Sequence, residues 1–453
     1  MPKAWYRDGF ARLEAKQPVR ASALLADLDT LEAVMRGAYG GWDSAAARGW
    51  DWDEWFDRWR SQLSERQDQE VPLEEAFSPL EELIGFQLDN HTNIPLGLRF
   101  GSGSRSATLS KAPAGPCDRA RMIGGGELPL RTDDPSEQPR KAQHFGNGRF
   151  KSLHYLAYPA LRGALAAVRC QGEWIDAQPV WVGAAPTRAL AKTEEDRPAY
   201  RRLGSHAVLV RLPTFSKENG ERLRQDLPQW PPRGAERVLV LDLRDNEGGD
   251  AAFAALLRWL DVERVKASLW SQKTLATSCS YHALRWGYTM LSSFNIEPPI
   301  SDGLRAMLQG SLDALAVPQA SCDRSFATTP EQAKVLPRRF EPNAKRPTLR
   351  VVALVNQGCG SDCEFMVRVL ATMPETLIVG TNTYGVGQFI QPGFSLLPRT
   401  RLPYRIALGT ADQYGDGRSF DGYGFDVDIL LTDEADHSPE AIEPLVARLA
   451  GAR

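Results

Sequence analysis

The sequence predicts an α/β protein, because amphipathic helices open the chain and continuous apolar strands fill its second half. Apolar side chains recur at helical spacing in two stripes, at 21–36 and 52–63. Four later apolar runs lack the alternation of half-exposed strands, as expected of parallel strands covered on both faces. The predicted fold class is therefore α/β, with an N-terminal helical bundle, a β-rich middle module and an α/β core.

Length and charge exclude several classes of protein. A chain of 453 residues is long enough for about three domains, or for one domain with large insertions. Apolar residues make up 42% and charged residues 25%, the balance of a globular protein. A net charge of −3 with interspersed basic residues provides no nucleic-acid surface. The longest uncharged stretch, 376–398, contains four glycines and several polar residues, so we expect no membrane span.

The first 95 residues are predicted to form a small helical bundle. One stripe carries Leu24, Leu28, Leu31 and Met35, and the other is rich in tryptophan. Because these side chains follow helical spacing, we expect the tryptophans in the core rather than in a sugar- or peptide-binding platform.

Residues 96–205 are predicted to be loop-rich and partly β. Glycine, serine, proline and alternating charges dominate 100–150, which predicts long loops, with the glycine run at 124–126 as a flexible loop. The alternating segment 173–183 predicts a short strand.

Residues 206–431 are predicted to form the α/β core. The four apolar runs are its buried strands, at 207–212, 237–243, 349–355 and 376–380. We expect a largely helical insertion at about 261–345. A C-terminal helix is predicted within 432–453, opened by a proline at its first position.

Six cysteines, at 117, 170, 279, 322, 359 and 363, suit either up to three disulfides in an exported protein or free thiols inside the cell. No histidine has zinc-ligand spacing from them, so we expect no metal, and no organic cofactor. The N-terminus lacks the apolar segment of a secretory signal, although a trimmed precursor would look the same. Localisation stays open, with a periplasmic or secreted protein slightly favoured over a cytoplasmic one if a signal was removed.

Ser361 is the first candidate for catalysis. A buried strand runs into a glycine turn, then Ser361, then a helix. This order places a hydroxyl at the positive end of the helix, where unpaired N–H groups favour developing negative charge. The alternative is that Ser361 only caps the helix, as serine commonly does.

A second strand ends in two adjacent glycines, Gly248 and Gly249, in the motif LDLRDNEGGD. Together with Glu364, three residues after Ser361, and VGTNTYGVGQ at 379–388, this motif resembles those of the C-terminal-processing and tricorn-core serine peptidases. The resemblance implies a crotonase-like (ClpP-like) core, a peptide or protein substrate, and Ser361 as nucleophile. It also implies an oxyanion hole from the N–H groups of Asp362 and of Gly248 or Gly249. A homo-oligomer is compatible with such a core.

The general base is predicted to be a histidine. Where one branch of these peptidases carries a lysine, this sequence has Val386, which cannot accept a proton. The tricorn-like branch uses an upstream histidine, and the motif LDNHT supplies His91. A purely structural turn histidine is the alternative.

The partner of His91 is predicted to be Asp421, because SFDGYGFDVDI at 419–429 matches the segment that carries a glutamate in tricorn-like peptidases. Asp89 competes by proximity in sequence. Either carboxylate is also compatible with a turn cap.

The leading functional hypothesis is a serine peptidase that acts through an acyl-enzyme. The second is a non-catalytic protein that binds peptides or apolar ligands on the same fold. A crotonase-like enzyme acting on thioesters is a third hypothesis, for which we find no coenzyme-binding surface.

Overall fold

A computed structural model describes residues 11–13, 15–89, 91–95, 104–146, 149–159, 164–180, 197–204, 207–226, 238–249, 256, 272–274, 350–371, 373, 376–411, 413–414, 418–432 and 439–451. Contacts divide the chain into two compact units. Unit 1 comprises Met1–Gly101, Trp270–Lys334 and Gln388–Ala411. Unit 2 comprises Ser102–Leu269, Val335–Gly387 and Asp412–Arg453.

Unit 1 contains five described helices and two small sheets. The helices are α1 (Ala21–Ala38), α2 (Trp42–Ala47), α3 (Trp52–Ser64), α4 (Leu73–Ala76) and α5 (Pro79–Gln87). Strands β1 (Val19–Arg20) and β2 (Glu70–Val71) pair with each other. Strands β13 (Gln272–Thr274), β17 (Pro403–Ala411) and β16 (Phe389–Leu396) form an antiparallel sheet in that order.

The helices of unit 1 and the β16–β17 hairpin share one apolar core. The predicted stripes of α1 and α3 are buried in it, including the tryptophans at 52, 55 and 59. The Trp55 and Trp59 indoles each donate to a backbone carbonyl, of Pro79 and Ala76. Burial of an indole is stabilised when its N–H finds such a partner. The tryptophans are therefore core side chains, as the spacing predicts.

Thirteen strands of the described part of unit 2 form one sheet, in the order β10-β11-β12-β14-β15-β18-β6-β7-β3-β9-β8-β4-β5. Six neighbours are parallel: β11 (Ala207–Arg211), β12 (Val238–Asp242), β14 (Arg350–Val355), β15 (Thr376–Gly380), β18 (Ile429–Leu430) and β6 (Arg140–Gly146). The others pair antiparallel: β3 (Ser104–Leu109), β4 (Cys117–Met122), β5 (Glu127–Pro129), β7 (Arg149–Pro159), β8 (Leu165–Cys170), β9 (Glu173–Pro179) and β10 (Ala199–Leu203). A 3₁₀ turn spans Pro135–Glu137, and helix α6 spans Lys217–Asp226.

Both faces of the parallel strands are covered. On one face, Val240 and Val352 pack with helix α8 (Pro439–Gly451), through Ile442 among others. On the other face, Leu241 packs with helix α7 (Asp362–Ala371). This double burial is why the strand sequences are continuously apolar. The prediction of an α/β protein is confirmed.

The prediction of long loops at 100–150 is wrong for most of that range, because β3, β4, β5 and β6 lie there. Their polar faces obscure the strand pattern: β3 reads SRSATL although Ser104 and Ser106 are buried. The glycine run at 124–126 belongs to a hairpin turn between β4 and β5, closed by an N–H bond from Met122 to Gly126 O. Gly124 and Gly125 have φ of +109° and +103°, which glycine adopts readily.

Two disulfides are described, Cys117–Cys170 and Cys359–Cys363. Cys279 and Cys322 lie outside the described residues, as does the expected insertion at 261–345 apart from β13. Among the described helices, none combines the length and apolarity needed to cross a membrane.

Candidate active site

Ser361 occupies a tight turn in unit 2, between the end of β14 and the start of α7. Its φ is +55°, the left-handed region, and its side chain is half-buried. An ordinary N-cap serine has extended backbone angles, so this conformation differs from that of a simple helix cap. A left-handed residue with a Cβ costs about 1–2 kcal/mol, and such strain concentrates at functional sites. We call residues 356–361 the serine turn.

We expect Ser361→Gly to be more stable than Ser361→Ala by about 1 kcal/mol, because glycine alone adopts a positive φ without strain. Chemical denaturation of both variants measures the difference. The matched pair is Ser152→Gly and Ser152→Ala in the exposed, extended part of β7, where alanine should be the more stable residue. An equal or reversed order at position 361 would show that the turn is not left-handed.

The glycine turn, residues 245–249, approaches the serine turn closely. A Cβ built on Gly248 would lie 2.8 Å from Asp362 N and 3.0 Å from Ser361 Cβ. Only a residue without a side chain allows this approach. The two motifs that the resemblance assigns to an oxyanion hole, more than a hundred residues apart in sequence, therefore meet in unit 2.

Asn246 determines which N–H groups of the glycine turn are engaged. The Gly248 N–H donates to Asn246 Oδ1 (2.8 Å), and the Asn246 amide donates to Leu212 O (2.7 Å). The Gly360 N–H donates to Asn246 O (3.0 Å). Since the Gly248 N–H is bonded to this amide, Gly249 is the better of the two glycines for an oxyanion donor.

Asn356 links the same two turns from the other side. Its Oδ1 accepts the N–H groups of Asp245 and Gly358, both at 2.9 Å. Its amide donates to Asp245 Oδ1 at 2.9 Å. Asn246 and Asn356 connect the turns of the candidate site, and they were not singled out from the sequence. Asparagine two residues before a glycine, after a buried strand, is the signal that could have found them.

Glu364 is buried in the first turn of α7 and receives four donors. Its carboxylate accepts the Thr383 hydroxyl (2.6 Å) and the N–H groups of Gly385 (2.6 Å) and Val386 (2.8 Å). A backbone hydrogen bond from Ser361 also reaches it. Burial raises the pKa of Glu364 to about 7, although the hydrogen bonds act in the opposite direction. Glu364 thus ties the serine turn to residues 383–386, which we call the valine turn.

The raised pKa of Glu364 predicts a pH dependence of stability. The folded state holds this proton up to about pH 7, whereas the unfolded chain releases it near 4.5. The stronger binding of this proton by the folded state therefore contributes its full stabilisation below pH 4.5. The contribution is lost as the pH rises through 7, and the free energy of unfolding falls by about 3 kcal/mol. We expect the unfolding free energy of wild type, relative to Glu364→Gln, to fall by about that amount between pH 4.5 and 8.

Denaturant titrations of both proteins at pH 4.5, 6 and 8 measure this difference. Glu82→Gln, at an exposed position on α5, is the control for the loss of a carboxylate that is not buried. A difference between wild type and Glu364→Gln that does not change with pH would contradict the burial of the carboxyl as the cause.

Val386 lies beside the serine turn. Its Cγ1 would be 3.2 Å from a Cβ built on Gly360. The position that the resemblance assigns to a lysine base in one branch of these peptidases thus presents an apolar group here. Unit 2 contains no amine at this position to take the proton of Ser361.

Asp421 is buried at a turn that touches the valine turn. The N–H of its neighbour Gly422 donates to Gly385 O (2.8 Å), and a Cβ on Gly385 would meet Gly422 N at 2.7 Å. Through Gly385 and Glu364, the Asp421 turn belongs to the same hydrogen-bonded assembly as Ser361.

His91 lies in unit 1, in a loop after α5. The Asp89 carboxylate accepts the N–H groups of His91 (2.8 Å) and Thr92 (3.0 Å), so Asp89 caps this turn. Arg405 Nε donates to His91 O (2.8 Å). Burial, and secondly the charge of Arg405, lower the pKa of His91 to about 4. The imidazole is therefore neutral at pH 7, as a proton acceptor must be, and unit 1 offers little stabilisation to its cation.

Residues 206–431, about half of the chain, match the model of peptidase family S41. A search of curated protein sequences finds no match. Among solved structures, mature CPAF is similar at 15% identity and a TM-score of 0.46, over 95% of this chain and 98% of that one. The photosystem II D1 C-terminal processing protease is similar at 14% identity and 0.35, over 95% and 97%. The tricorn protease is similar at 15% identity and 0.28, over 54% and 18%.

These structural likenesses are too distant to carry an argument about function. The family match covers strands β11 to β18, the glycine turn, the serine turn and the valine turn. The chain therefore belongs to peptidase family S41 and is a serine-type peptidase.

Proposed function

We propose that this peptidase hydrolyses peptide bonds through an acyl-enzyme, with Ser361 as nucleophile and His91 as general base. The observation that carries the proposal is the left-handed Ser361 at the start of α7, with the backbone of Gly248 packed against it. Acyl transfer by serine is favoured by backbone N–H groups beside its hydroxyl, and backbone strain concentrates at functional sites. The proposed catalytic core is crotonase-like and spans 206–431. In the sequence it follows a helical bundle (1–95) and a middle module (96–205), and it precedes a C-terminal helix (432–453).

The reaction proceeds in two halves. Ser361 Oγ attacks the peptide carbonyl carbon while the His91 imidazole takes the hydroxyl proton. The N–H groups of Asp362 and Gly249 donate to the oxyanion, and the imidazolium then protonates the leaving amine. Water, deprotonated by the same imidazole, hydrolyses the acyl ester and regenerates the Ser361 hydroxyl.

The proposal requires a carboxylate for the imidazolium of His91. Asp89 already accepts two backbone N–H groups, and the charge of Arg405 disfavours the cation, so we favour another carboxylate over Asp89. Asp421, which is buried and adjacent to the valine turn, is the proposed partner. The low pKa of His91 within unit 1 makes this partner necessary for efficient proton transfer.

A second candidate function is non-catalytic binding of peptides or apolar ligands. The observation that favours it is the Val386 methyl group beside Gly360, where a lysine would otherwise supply the base. In such a protein the serine turn has only a structural role, and the Val386 side chain contacts the bound ligand.

A fluorophosphonate probe separates the two candidates, because it reacts far faster with an activated serine than with an ordinary hydroxyl. The catalytic proposal expects stoichiometric labelling of the folded wild type and cleavage of a quenched-fluorescence peptide mixture. Wild type that binds the peptides, stays folded and does not label would favour the binding protein instead.

A further inference from the structure

Two cysteines bracket the proposed nucleophile. The Cys359–Cys363 disulfide closes a ring of five residues with Ser361 at its midpoint. Both cysteines are fully buried. No step of the proposed reaction uses either sulfur atom, so any role of this disulfide in catalysis must be indirect.

The two ends of this ring are anchored to different parts of unit 2. Cys359 donates its N–H to Asn356 O (2.9 Å) and accepts the Tyr384 N–H (2.9 Å). Cys363 belongs to the apolar face of α7 that packs on the parallel sheet, and its sulfur lies 3.6 Å from Leu243 O. The disulfide therefore joins the serine turn covalently to the helix that follows it.

We propose that the Cys359–Cys363 disulfide positions Ser361 for catalysis, an inference that rests on the proposed function. A left-handed serine is less stable than a right-handed one. The ring limits the angles open to Gly360, Ser361 and Asp362, so it opposes relaxation of this turn. Loss of the disulfide would displace two groups that take part in the reaction, the Ser361 hydroxyl and the Asp362 N–H.

The second disulfide provides a matched control within unit 2. Cys117 and Cys170 are directly paired residues of the antiparallel strands β4 and β8. This disulfide connects two strands of the antiparallel half of the sheet. The segment between its two cysteines contains none of the proposed catalytic residues. If a disulfide is only structural, its removal lowers stability but not turnover. We expect this result for Cys117–Cys170.

The test compares Cys359→Ser/Cys363→Ser with Cys117→Ser/Cys170→Ser, both as folded proteins. A displacement of reacting groups by about 1 Å lowers rates by about 100-fold. We therefore expect the first variant to lose about 10- to 100-fold in kcat and in the rate of fluorophosphonate labelling, with KM changed less than about twofold. The second variant should keep the wild-type kcat and labelling rate.

A readout independent of activity follows the turn itself. The stability advantage of Ser361→Gly over Ser361→Ala should shrink when both are made in the Cys359→Ser/Cys363→Ser background, because a relaxed turn no longer requires a positive φ. It should persist in the Cys117→Ser/Cys170→Ser background.

Three results would overturn the inference. The first is free thiols at 359 and 363 in active wild type, detected by alkylation of the denatured, unreduced protein. The second is an unchanged kcat and labelling rate in Cys359→Ser/Cys363→Ser. In both cases wild type still labels at Ser361, so the proposed function survives. The third is wild type that does not label at all, which overturns the proposed function and the positioning role together.

Discussion

Replacement of Ser361 by alanine is expected to lower kcat for peptide hydrolysis by at least about 10⁴-fold, because the variant lacks the only atom that forms the acyl-enzyme. Residual turnover should come from the oxyanion donors and from substrate binding alone. KM should change little, since the hydroxyl contributes little to ground-state binding. Steady-state kinetics with a quenched-fluorescence peptide measure both constants.

Ser152→Ala, at an exposed position in β7, is the control and should retain full activity. The circular dichroism spectrum of Ser361→Ala should match that of wild type, because alanine keeps the Cβ and the packing of the serine turn. A variant that is folded and retains more than about a tenth of the wild-type kcat would exclude Ser361 as the nucleophile.

Replacement of His91 by alanine is expected to lower kcat by about 10²- to 10⁴-fold, the usual contribution of a general base. The effect should be smaller than that of Ser361→Ala, because water can still accept the proton slowly. His154→Ala, at a half-buried position in β7, is the matched control and should keep the wild-type kcat. The labelling rate with fluorophosphonate should fall in parallel with kcat.

Val386→Lys tests the assignment of His91 as the general base in a second way. If His91 is the base, wild type hydrolyses peptides without a lysine at position 386, and Val386→Lys is not needed for activity. Wild type that is inactive and becomes active only as Val386→Lys would show that the base is missing and that the histidine assignment is wrong.

Four of the six parallel strands, β11, β12, β14 and β15, could be predicted from sequence because their signal is local. Runs such as TLIVG at 376–380 are apolar at every position, and the strand occupies those residues. The helical stripe of α1 is similarly local, since each turn repeats the same face. Burial on two faces or on one stripe is encoded in neighbouring residues, and this explains the agreement.

Apart from β9, which the alternation at 173–183 indicated, the antiparallel half of the sheet could not be predicted in the same way. Strand β3 carries buried serines, and Ser104 is held by its N–H bond to Tyr384 O, far along the chain. The packing of the β16–β17 hairpin with the helices of unit 1 is likewise a long-range arrangement. Residues that make their decisive contacts hundreds of positions away leave no periodic signal in their own segment.

The candidate site was predictable in part. The order of the motifs indicated Ser361 and the two glycines, and the structure brings their turns into contact. The bond from the Gly248 N–H to Asn246 was not predictable, because it depends on side-chain geometry within the turn. The two backbone N–H bonds to Asp89 were also not predictable in detail, because they depend on the conformation of the loop after α5.

Mass spectrometry of the fluorophosphonate adduct tests the central claim most directly. Wild type, labelled under native conditions and digested, should carry one phosphonyl group, on the peptide that contains Ser361. Fragmentation should assign it to that residue, and the adduct should be absent from Ser361→Ala. Folded wild type with its adduct on another residue, or with none, would contradict the claim that Ser361 is an activated nucleophile.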